Sequence, residues 1–407
     1  MEKVNTTPES GAGENLAASM AAGAAATSHE SIQKTSRRTS WHWRSLLRRG
    51  TMAIVLMTLA AACVPRELEQ FFPRPIEPKG PKPAWGPTID PQMLAVIEQL
   101  QSYGTPPLHT LTPAQARMAP TPTDAVEDLL KKKGIPPMPS AVNINHRVIP
   151  GPSPDGILVR TYTPKNAAGP FPVIVYYHGG GWVIAGLDTY EPSAKALAEK
   201  SGAIVVSVSY RQAPEHKYPA AHEDAFAAYQ WALTHAAAIN GDPNRVAVAG
   251  ESAGGNLAVA VAIMARDRGV KLPVHIVSVY PIADDDVESP TYDQYADAVP
   301  LNRPLMAWFF DKYAPNWRSE SYPLIALIEA DLSGLPPTTI INAEIDPLTH
   351  EGGVLAERMQ AAGVEVTRQV YQGVTHEFFG MAAVLEQAKQ AQMLAASRLK
   401  MAFGTGS

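Results

Sequence analysis

Cysteine is nearly absent from this sequence, since Cys63 is the only one among 407 residues. A single thiol excludes an intramolecular disulfide framework and any metal cluster that is built on several cysteines. The sequence also has no excess of basic residues. It contains 34 Lys and Arg and 39 Asp and Glu, which gives a formal net charge of −5. This balance creates no general basic field, so we do not expect non-specific binding of nucleic acid.

Long apolar runs are lacking as well, and no stretch reaches the roughly 18 residues that a membrane-spanning helix needs. The hydrophobic content of 45% is nevertheless ample for a core. The length allows two or three domains, or one α/β domain with an accessory part.

The N-terminus combines the features of an export signal. Residues 31–50 carry six basic side chains and no acidic one, an apolar stretch follows from Met52, and small residues precede Cys63. This order is typical of a secretory signal, and its end resembles a bacterial lipoprotein signal whose cysteine is lipidated after cleavage. We therefore predict that residues 1–63 are a disordered leader with such a signal, and that the protein is exported, either anchored to a membrane through Cys63 or periplasmic. The alternatives are an overlong start-site assignment or a helix at a membrane surface, with the protein in the cytoplasm.

The next segments predict a linker and a group of helices. Eight prolines between Pro65 and Pro91 exclude regular helix, so we interpret residues 64–88 as an extended linker. Apolar residues at helical spacing then follow within residues 89–145, which we interpret as cap helices. Residues 404–407 form a short tail.

From residue 146 to 403, short β-branched runs alternate with helical patterns. Runs that are apolar throughout are typical of parallel strands with helices on both faces, so the fold class is α/β. The predicted strands are 173–177, 203–208, 246–249, 275–280, 338–343 and 364–371, and the predicted helices are 192–199, 221–235, 255–268 and 351–362. Residues 288–322 interrupt this rhythm, and we interpret them as an insertion over the strand ends.

The strongest functional signal is Gly250-Glu-Ser-Ala-Gly254, which lies between a predicted strand and a predicted helix. In this context G-x-S-x-G makes a sharp turn that lifts the serine hydroxyl above the sheet. The helix N-terminus behind it favours developing negative charge. We predict Ser252 as a nucleophile; the alternative is a serine that only caps the helix.

A second motif, His178-Gly-Gly-Gly-Trp182, follows the strand 173–177. Successive glycines leave backbone N–H groups unshielded, so these groups can converge on an oxyanion. Gly180 and Gly181 would donate together with Ala253, the residue after the serine. We interpret His178 as a brace for the loop, beside Gly179, rather than as a base; the alternative is a loop that is merely flexible.

A nucleophilic serine needs a base, and the base needs an orienting carboxylate. On this type of fold they follow the serine in the order acid, then histidine. We predict His376, in a loop after the last strand, as the base; its rivals are His275 and His350. We predict Asp346 as the acid; its rivals are Glu344 and the run Asp284-Asp285-Asp286.

Together these motifs resemble those of hormone-sensitive-lipase-like bacterial esterases of the α/β-hydrolase fold. The resemblance covers roughly residues 88 to 403 and includes Tyr210-Arg-Gln-Ala-Pro-Glu215 and Asp346-Pro-Leu348 in family order. It implies a mostly parallel eight-stranded sheet, with the N-terminal helices and the 288–322 insertion as the cap. It also implies a triad of Ser252, His376 and Asp346, with Gly180, Gly181 and Ala253 as oxyanion donors.

The chain also departs from the family pattern. Glu251 stands where aspartate is common, so its hydrogen bonds must be arranged differently. Gln212 ends a stretch that usually reads Asp-Tyr-Arg-Leu.

The resemblance implies a carboxylic-ester hydrolase that acts on short to medium acyl esters without cofactor or metal. The alternatives are a hydrolase of amides, lactones or acetylated carbohydrates, and a ligand-binding protein that has kept the fold without turnover. We expect a small-molecule ester as substrate. The sequence leaves the oligomeric state open, a homodimer included.

Overall fold

The structure, a computed structural model, describes residues 76–137, 139–165 and 167–406. The predicted leader 1–63 with its Cys63 and the first part of the predicted linker, residues 64–75, lie outside the described residues. No helix within the described ranges is both long and apolar enough to cross a membrane.

Within the described residues, eight strands form one sheet in the order β1-β2-β4-β3-β5-β6-β7-β8. The strand β2 pairs antiparallel with β1 and β4, and all the other neighbours pair in parallel. This arrangement confirms the predicted mostly parallel sheet. The strands are β1 (Val142–Ile149), β2 (Ile157–Pro164), β3 (Phe171–Tyr177), β4 (Ile204–Ser209), β5 (Gly241–Glu251), β6 (Ile276–Val279), β7 (Thr338–Ile345) and β8 (Val366–Thr375).

Ten α-helices accompany the sheet within the described ranges. They are α1 (Pro91–Gln101), α2 (Pro113–Arg117), α3 (Pro122–Lys132), α4 (Glu191–Ser201), α5 (Ala220–His235), α6 (Ala253–Asp267), α7 (Pro290–Gln294), α8 (Arg303–Tyr313), α9 (Thr349–Ala361) and α10 (Glu386–Phe403). Short 3₁₀ turns lie at Leu108–Thr110, Ala236–Ile239, Leu327–Glu329 and Phe378–Gly380.

The sheet separates two hydrophobic cores, as the side-chain alternation of a strand requires. In β3, Val173, Val175 and Tyr177 belong to one core, whereas Ile174 and Tyr176 belong to the other. All seven residues of β3 are buried, which explains why this strand reads as a continuous apolar run.

The N-terminal helices begin with ordinary capping chemistry. Each has proline in its first turn, Asp90 caps α1, and Thr112 and Thr121 form capping boxes at α2 and α3. The buried face of α1, including Met93, belongs to the second core.

The end of the predicted linker lies against the folded body. The backbone N–H groups of Lys79 and Gly80 donate to the carboxylate of Glu98 at 2.6 and 2.7 Å, and the Thr88 hydroxyl donates to Glu344 at 2.9 Å. From Lys79 onwards the segment is therefore attached to the body, although residues 76–90 contain no helix or strand.

The sheet topology brings the candidate functional residues to one edge. Neighbouring parallel strands end at the same side of a sheet. The glycine loop follows β3, Ser252 follows β5, Asp346 follows β7 and His376 follows β8.

Candidate active site

Ser252 occupies a strained turn between β5 and α6. Its backbone has φ 56° and ψ −119°, a combination that costs a non-glycine residue free energy and persists only when neighbours enforce it. The Ser252 N–H donates to Val279 at 2.9 Å, and its carbonyl accepts from Asn256 at 3.0 Å. A Cβ at Gly250 would lie 2.1 Å from the Gly254 carbonyl oxygen, and one at Gly254 would lie 1.9 Å from the Tyr177 oxygen. Only glycine fits at these two positions.

His376 and Asp346 form a buried pair. Nδ1 of His376 lies 2.7 Å from Oδ2 of Asp346, and Oδ1 of Asp346 accepts from the Leu348 N–H at 3.0 Å. Burial lowers the pKa of His376, but the charge and hydrogen bond of Asp346 outweigh it, so the pKa lies above the ordinary value. With Nδ1 engaged by Asp346, Nε2 is the ring nitrogen that can exchange protons in the cavity.

The rival residues lie elsewhere. His275 is buried next to β6 and bonds to the Thr339 hydroxyl at 2.9 Å, and burial lowers its pKa to about 4. His350 is exposed on α9. Glu344 accepts from Thr88 and from the Gly373 N–H. The structure thus pairs His376 with Asp346 and with none of these rivals.

Ser252 and His376 line the same cavity, which has a volume of about 300 Å³. Among the described residues, no hydrogen bond joins the Ser252 hydroxyl to the His376 ring. Catalytic hydrogen bonds are often long in an unliganded enzyme and tighten when substrate binds. The structure therefore brings the alcohol, the imidazole and the carboxylate to one site, with the contact between imidazole and carboxylate formed.

The glycine loop contributes to the same cavity through Gly180 and Gly181. Both have positive φ, 95° and 57°, and a Cβ at Gly181 would lie 2.1 Å from the Phe309 ring. The Gly180 carbonyl accepts from the N–H groups of Val183 and Ile184 at 3.0 and 2.9 Å. These bonds fix the loop, and Ala253 is the first residue of α6, where N–H groups have no partner inside the helix.

His178 is buried beside this loop. Its ring is stacked on that of Tyr210 with centroids 4.2 Å apart, and its Nδ1 lies 2.8 Å from the Gly179 carbonyl oxygen. Burial lowers the pKa of His178 to about 4, so the ring is neutral near neutral pH. His178 thus supports the loop. At the next position, a Cβ on Gly179 would lie 2.2 Å from the Tyr190 hydroxyl.

A group of tyrosines and carboxyls lies near His376, and the sequence did not predict it. Glu251 accepts from Tyr176 at 2.5 Å and also from Tyr280, whereas Glu377 accepts from Tyr190 at 2.5 Å. Burial, together with the charge of Glu377, raises the pKa of Glu251 to about 7. Tyr176 lies in β3, Tyr190 lies just before α4 and Tyr280 just after β6, so no local spacing could reveal the group. Its sequence signals are the pair of tyrosines that ends β3 and Glu251, which stands where aspartate is common.

Both apolar and polar residues line the cavity. The apolar ones include Leu108, Ile184, Leu301, Leu305 and Phe309, and the polar ones include Arg117, Thr121, Asp188, Tyr190 and Glu377. Residues of α2 and α8 contribute to it, so both predicted cap segments reach the site. In the described part of the chain, no group of three or more His, Cys, Asp or Glu side chains is arranged to hold a metal ion.

Comparison with known proteins gives consistent results. A family model described as the alpha/beta hydrolase fold matches residues 174–380. The carboxylesterase NlhH of Mycobacterium tuberculosis is 42% identical over 251 residues, which are 61% of this chain and 79% of that protein. An ethyl acetate hydrolase of Pseudomonas putida is 33% identical over 229 residues, 56% of this chain and 72% of the other. A thermostable esterase of known structure, also from Pseudomonas putida, superposes with a TM-score of 0.71 at 31% identity, covering 78% of this chain and 98% of the other.

Proposed function

Because the chain belongs to the alpha/beta hydrolase fold family and is a carboxylic-ester hydrolase, we propose that Ser252, His376 and Asp346 carry out its reaction. The observation that carries this proposal is the 2.7 Å contact between His376 and Asp346 beside a cavity that Ser252 also lines. A serine hydroxyl becomes a nucleophile when an imidazole that a carboxylate orients takes its proton.

In the first half of the reaction, the Ser252 oxygen attacks the ester carbonyl carbon while Nε2 of His376 takes the hydroxyl proton. The carbonyl oxygen becomes an oxyanion, which the N–H groups of Gly180, Gly181 and Ala253 stabilise. Asp346 stabilises the imidazolium through Nδ1. The imidazolium then returns its proton to the departing alcohol, and the acyl group stays on Ser252.

In the second half, water attacks the acyl carbon and loses a proton to His376. The bond to Ser252 breaks, and the serine oxygen recovers the proton. We propose short to medium acyl groups as substrates, because the cavity of about 300 Å³ is lined by apolar side chains of the cap such as Leu305 and Phe309.

A chain-length series of p-nitrophenyl esters tests this proposal. We expect a maximum of kcat/KM at short to medium acyl groups, and a loss of at least about 10⁴-fold in Ser252→Ala, as for removal of a triad member. The matched control is Ser397→Ala, because Ser397 is exposed on α10. Hydrolysis largely kept in Ser252→Ala would refute the assignment.

Export stays a proposal that rests on the basic segment, the apolar stretch and Cys63. Mass spectrometry of the N-terminus in membrane fractions tests it. A lipidated N-terminal Cys63 is the expected result, and an unprocessed Met1 chain in the cytosol would contradict it.

A further inference from the structure

One carboxyl in the cavity has no role in the mechanism above. Glu377 lines the cavity, and its side chain keeps 18% of its surface exposed. Its Oε1 lies 3.7 Å from Nε2 of His376 and accepts a hydrogen bond from Tyr190 at 2.5 Å. A second carboxyl therefore lies beside the ring nitrogen that exchanges protons, at the side of the ring away from Asp346.

Glu251 shows what a purely supporting carboxyl looks like in the same region. It is 1% exposed and accepts from Tyr176 and Tyr280 through different oxygens. For Glu377, the hydrogen bonds among the described residues fall on Oε1 alone. Its Oε2 accepts no hydrogen bond from the described residues, whereas each oxygen of the buried Glu251 accepts one.

The second half of the reaction places a particular molecule next to His376. The attacking water must direct one O–H bond at Nε2, and it has a second O–H bond that needs an acceptor if it is not to lie unpaired in a confined site. An alcohol that attacks the same acyl carbon has only one O–H bond. An acceptor beside Nε2 thus favours water over an alcohol.

We propose that Glu377 accepts the second O–H bond of the hydrolytic water and so makes the enzyme prefer water to alcohols as acyl acceptor. The inference rests on the proposed function, because it needs an acyl group on Ser252. In this step the water oxygen bonds to the acyl carbon and one water proton passes to Nε2 of His376. The bond from the acyl carbon to the serine oxygen then breaks, and that oxygen takes the proton from His376. Glu377 accepts a hydrogen bond throughout and is neither protonated nor consumed.

Product partitioning tests the proposal. Enzyme is given p-nitrophenyl butyrate at a fixed methanol concentration, and the ratio of methyl butyrate to butyrate is measured by gas chromatography. This ratio does not depend on the fraction of active enzyme or on the rate at which the acyl-enzyme forms, because both products come from one acyl-enzyme.

We expect Glu377→Gly to raise the ratio of methyl ester to acid about fivefold, the size expected for one lost hydrogen bond. Glycine suits the backbone at this position, where φ is 71°. Glu377→Gln should change the ratio less, since its amide oxygen still accepts. Glu357→Gln is the control, because Glu357 is exposed on α9.

The possible failures are distinguishable. A wild-type ratio in Glu377→Gly overturns the role of Glu377, and so does an equal rise in Glu357→Gln. If Ser252→Ala still forms butyrate at the wild-type rate, the proposed function itself fails. If Ser252→Ala is inactive and the ratio in Glu377→Gly is unchanged, only the present inference fails.

Discussion

The carboxyl edge of the sheet and the predicted cap segments, residues 89–145 and 288–322, are held in place by different means. At the sheet edge, Ser252, Gly180, Gly181 and Glu377 all have positive φ, and backbone hydrogen bonds hold Gly180 and Ser252. In the predicted cap segments, α1, α2, α3 and α8 begin at a proline and a side-chain cap. Side chains such as Arg117 and Thr123 bond these segments to the body. We infer that the positions of the reacting groups depend on backbone geometry. The predicted cap segments are instead held by side-chain contacts, each of which a single substitution can remove.

Among the substitutions that test this difference between the two regions, Asp346→Asn is expected to have the largest effect on activity. The amide keeps the size of the carboxylate but favours the wrong tautomer of His376 and cannot stabilise its charged form. A loss of about 10⁴-fold in kcat is expected, measured by steady-state hydrolysis of a p-nitrophenyl ester. Asp155→Asn, at an exposed position after β1, should change kcat less than twofold. A loss of kcat below tenfold in Asp346→Asn would mean that catalysis does not depend on the contact between Asp346 and His376.

A smaller but still large effect is expected from Gly181→Ala. The new methyl group would lie 2.1 Å from the Phe309 ring and require φ 57° of a non-glycine residue, so the loop must move. A loss of about 10²–10³ in kcat is expected if one oxyanion donor is displaced.

Gly186→Ala is the matched control for that loop. Gly186 lines the same cavity, but a Cβ added there would meet no other atom within 4 Å. Its kcat should stay near that of the wild type. Equal losses of kcat in the two variants would show that a side chain at either glycine is harmful. The backbone geometry at Gly181 would then not be the reason.

The smallest effect is expected from Arg117→Met in the cap. Arg117 on α2 donates to the carbonyls of Val183 and Ala213 at 2.8 and 2.6 Å and pairs with Glu215 at 2.7 Å. Because Gly180 is fixed by its own backbone bonds, we expect KM to rise by about three- to tenfold, the effect of one or two hydrogen bonds, while kcat changes little.

Arg358→Met on the exposed side of α9 is the control for this change. If kcat in Arg117→Met falls further than KM rises, the cap positions the reacting groups and the distinction between the two regions is wrong.

The parts of the fold that the sequence predicted are those whose physics is local. Buried parallel strands such as β3 are apolar throughout, and sharp turns need glycine, so both can be recognised in a few residues. The strand β1 was not among the predicted strands because six of its eight residues are exposed. Its place in the sheet depends on pairing with β2, which a local pattern does not specify. The helix α10 was not predicted either.

The residues of the candidate site also divide into those that a local sequence pattern predicts and those that it does not. The motifs predicted Ser252, Asp346 and His376. Ser252 and His376 line one cavity, and Asp346 bonds to the His376 ring; their roles in the reaction stay predictions. The bond between Tyr190 and Glu377 joins residues 187 positions apart, and that between Tyr176 and Glu251 joins residues 75 apart. Such contacts depend on the packing of whole elements. They could be found only once the sheet had placed those elements side by side.

The central claim is that the Ser252 oxygen forms the covalent bond to the acyl group. Treatment with a p-nitrophenyl phosphonate, followed by peptide mass spectrometry, tests it directly, because the phosphonate is a stable mimic of the acyl transfer. We predict one phosphonyl group per chain on Ser252, formed as activity is lost, and no adduct in Ser252→Ala. Loss of activity with the adduct on another residue, or with none on Ser252, would contradict the account.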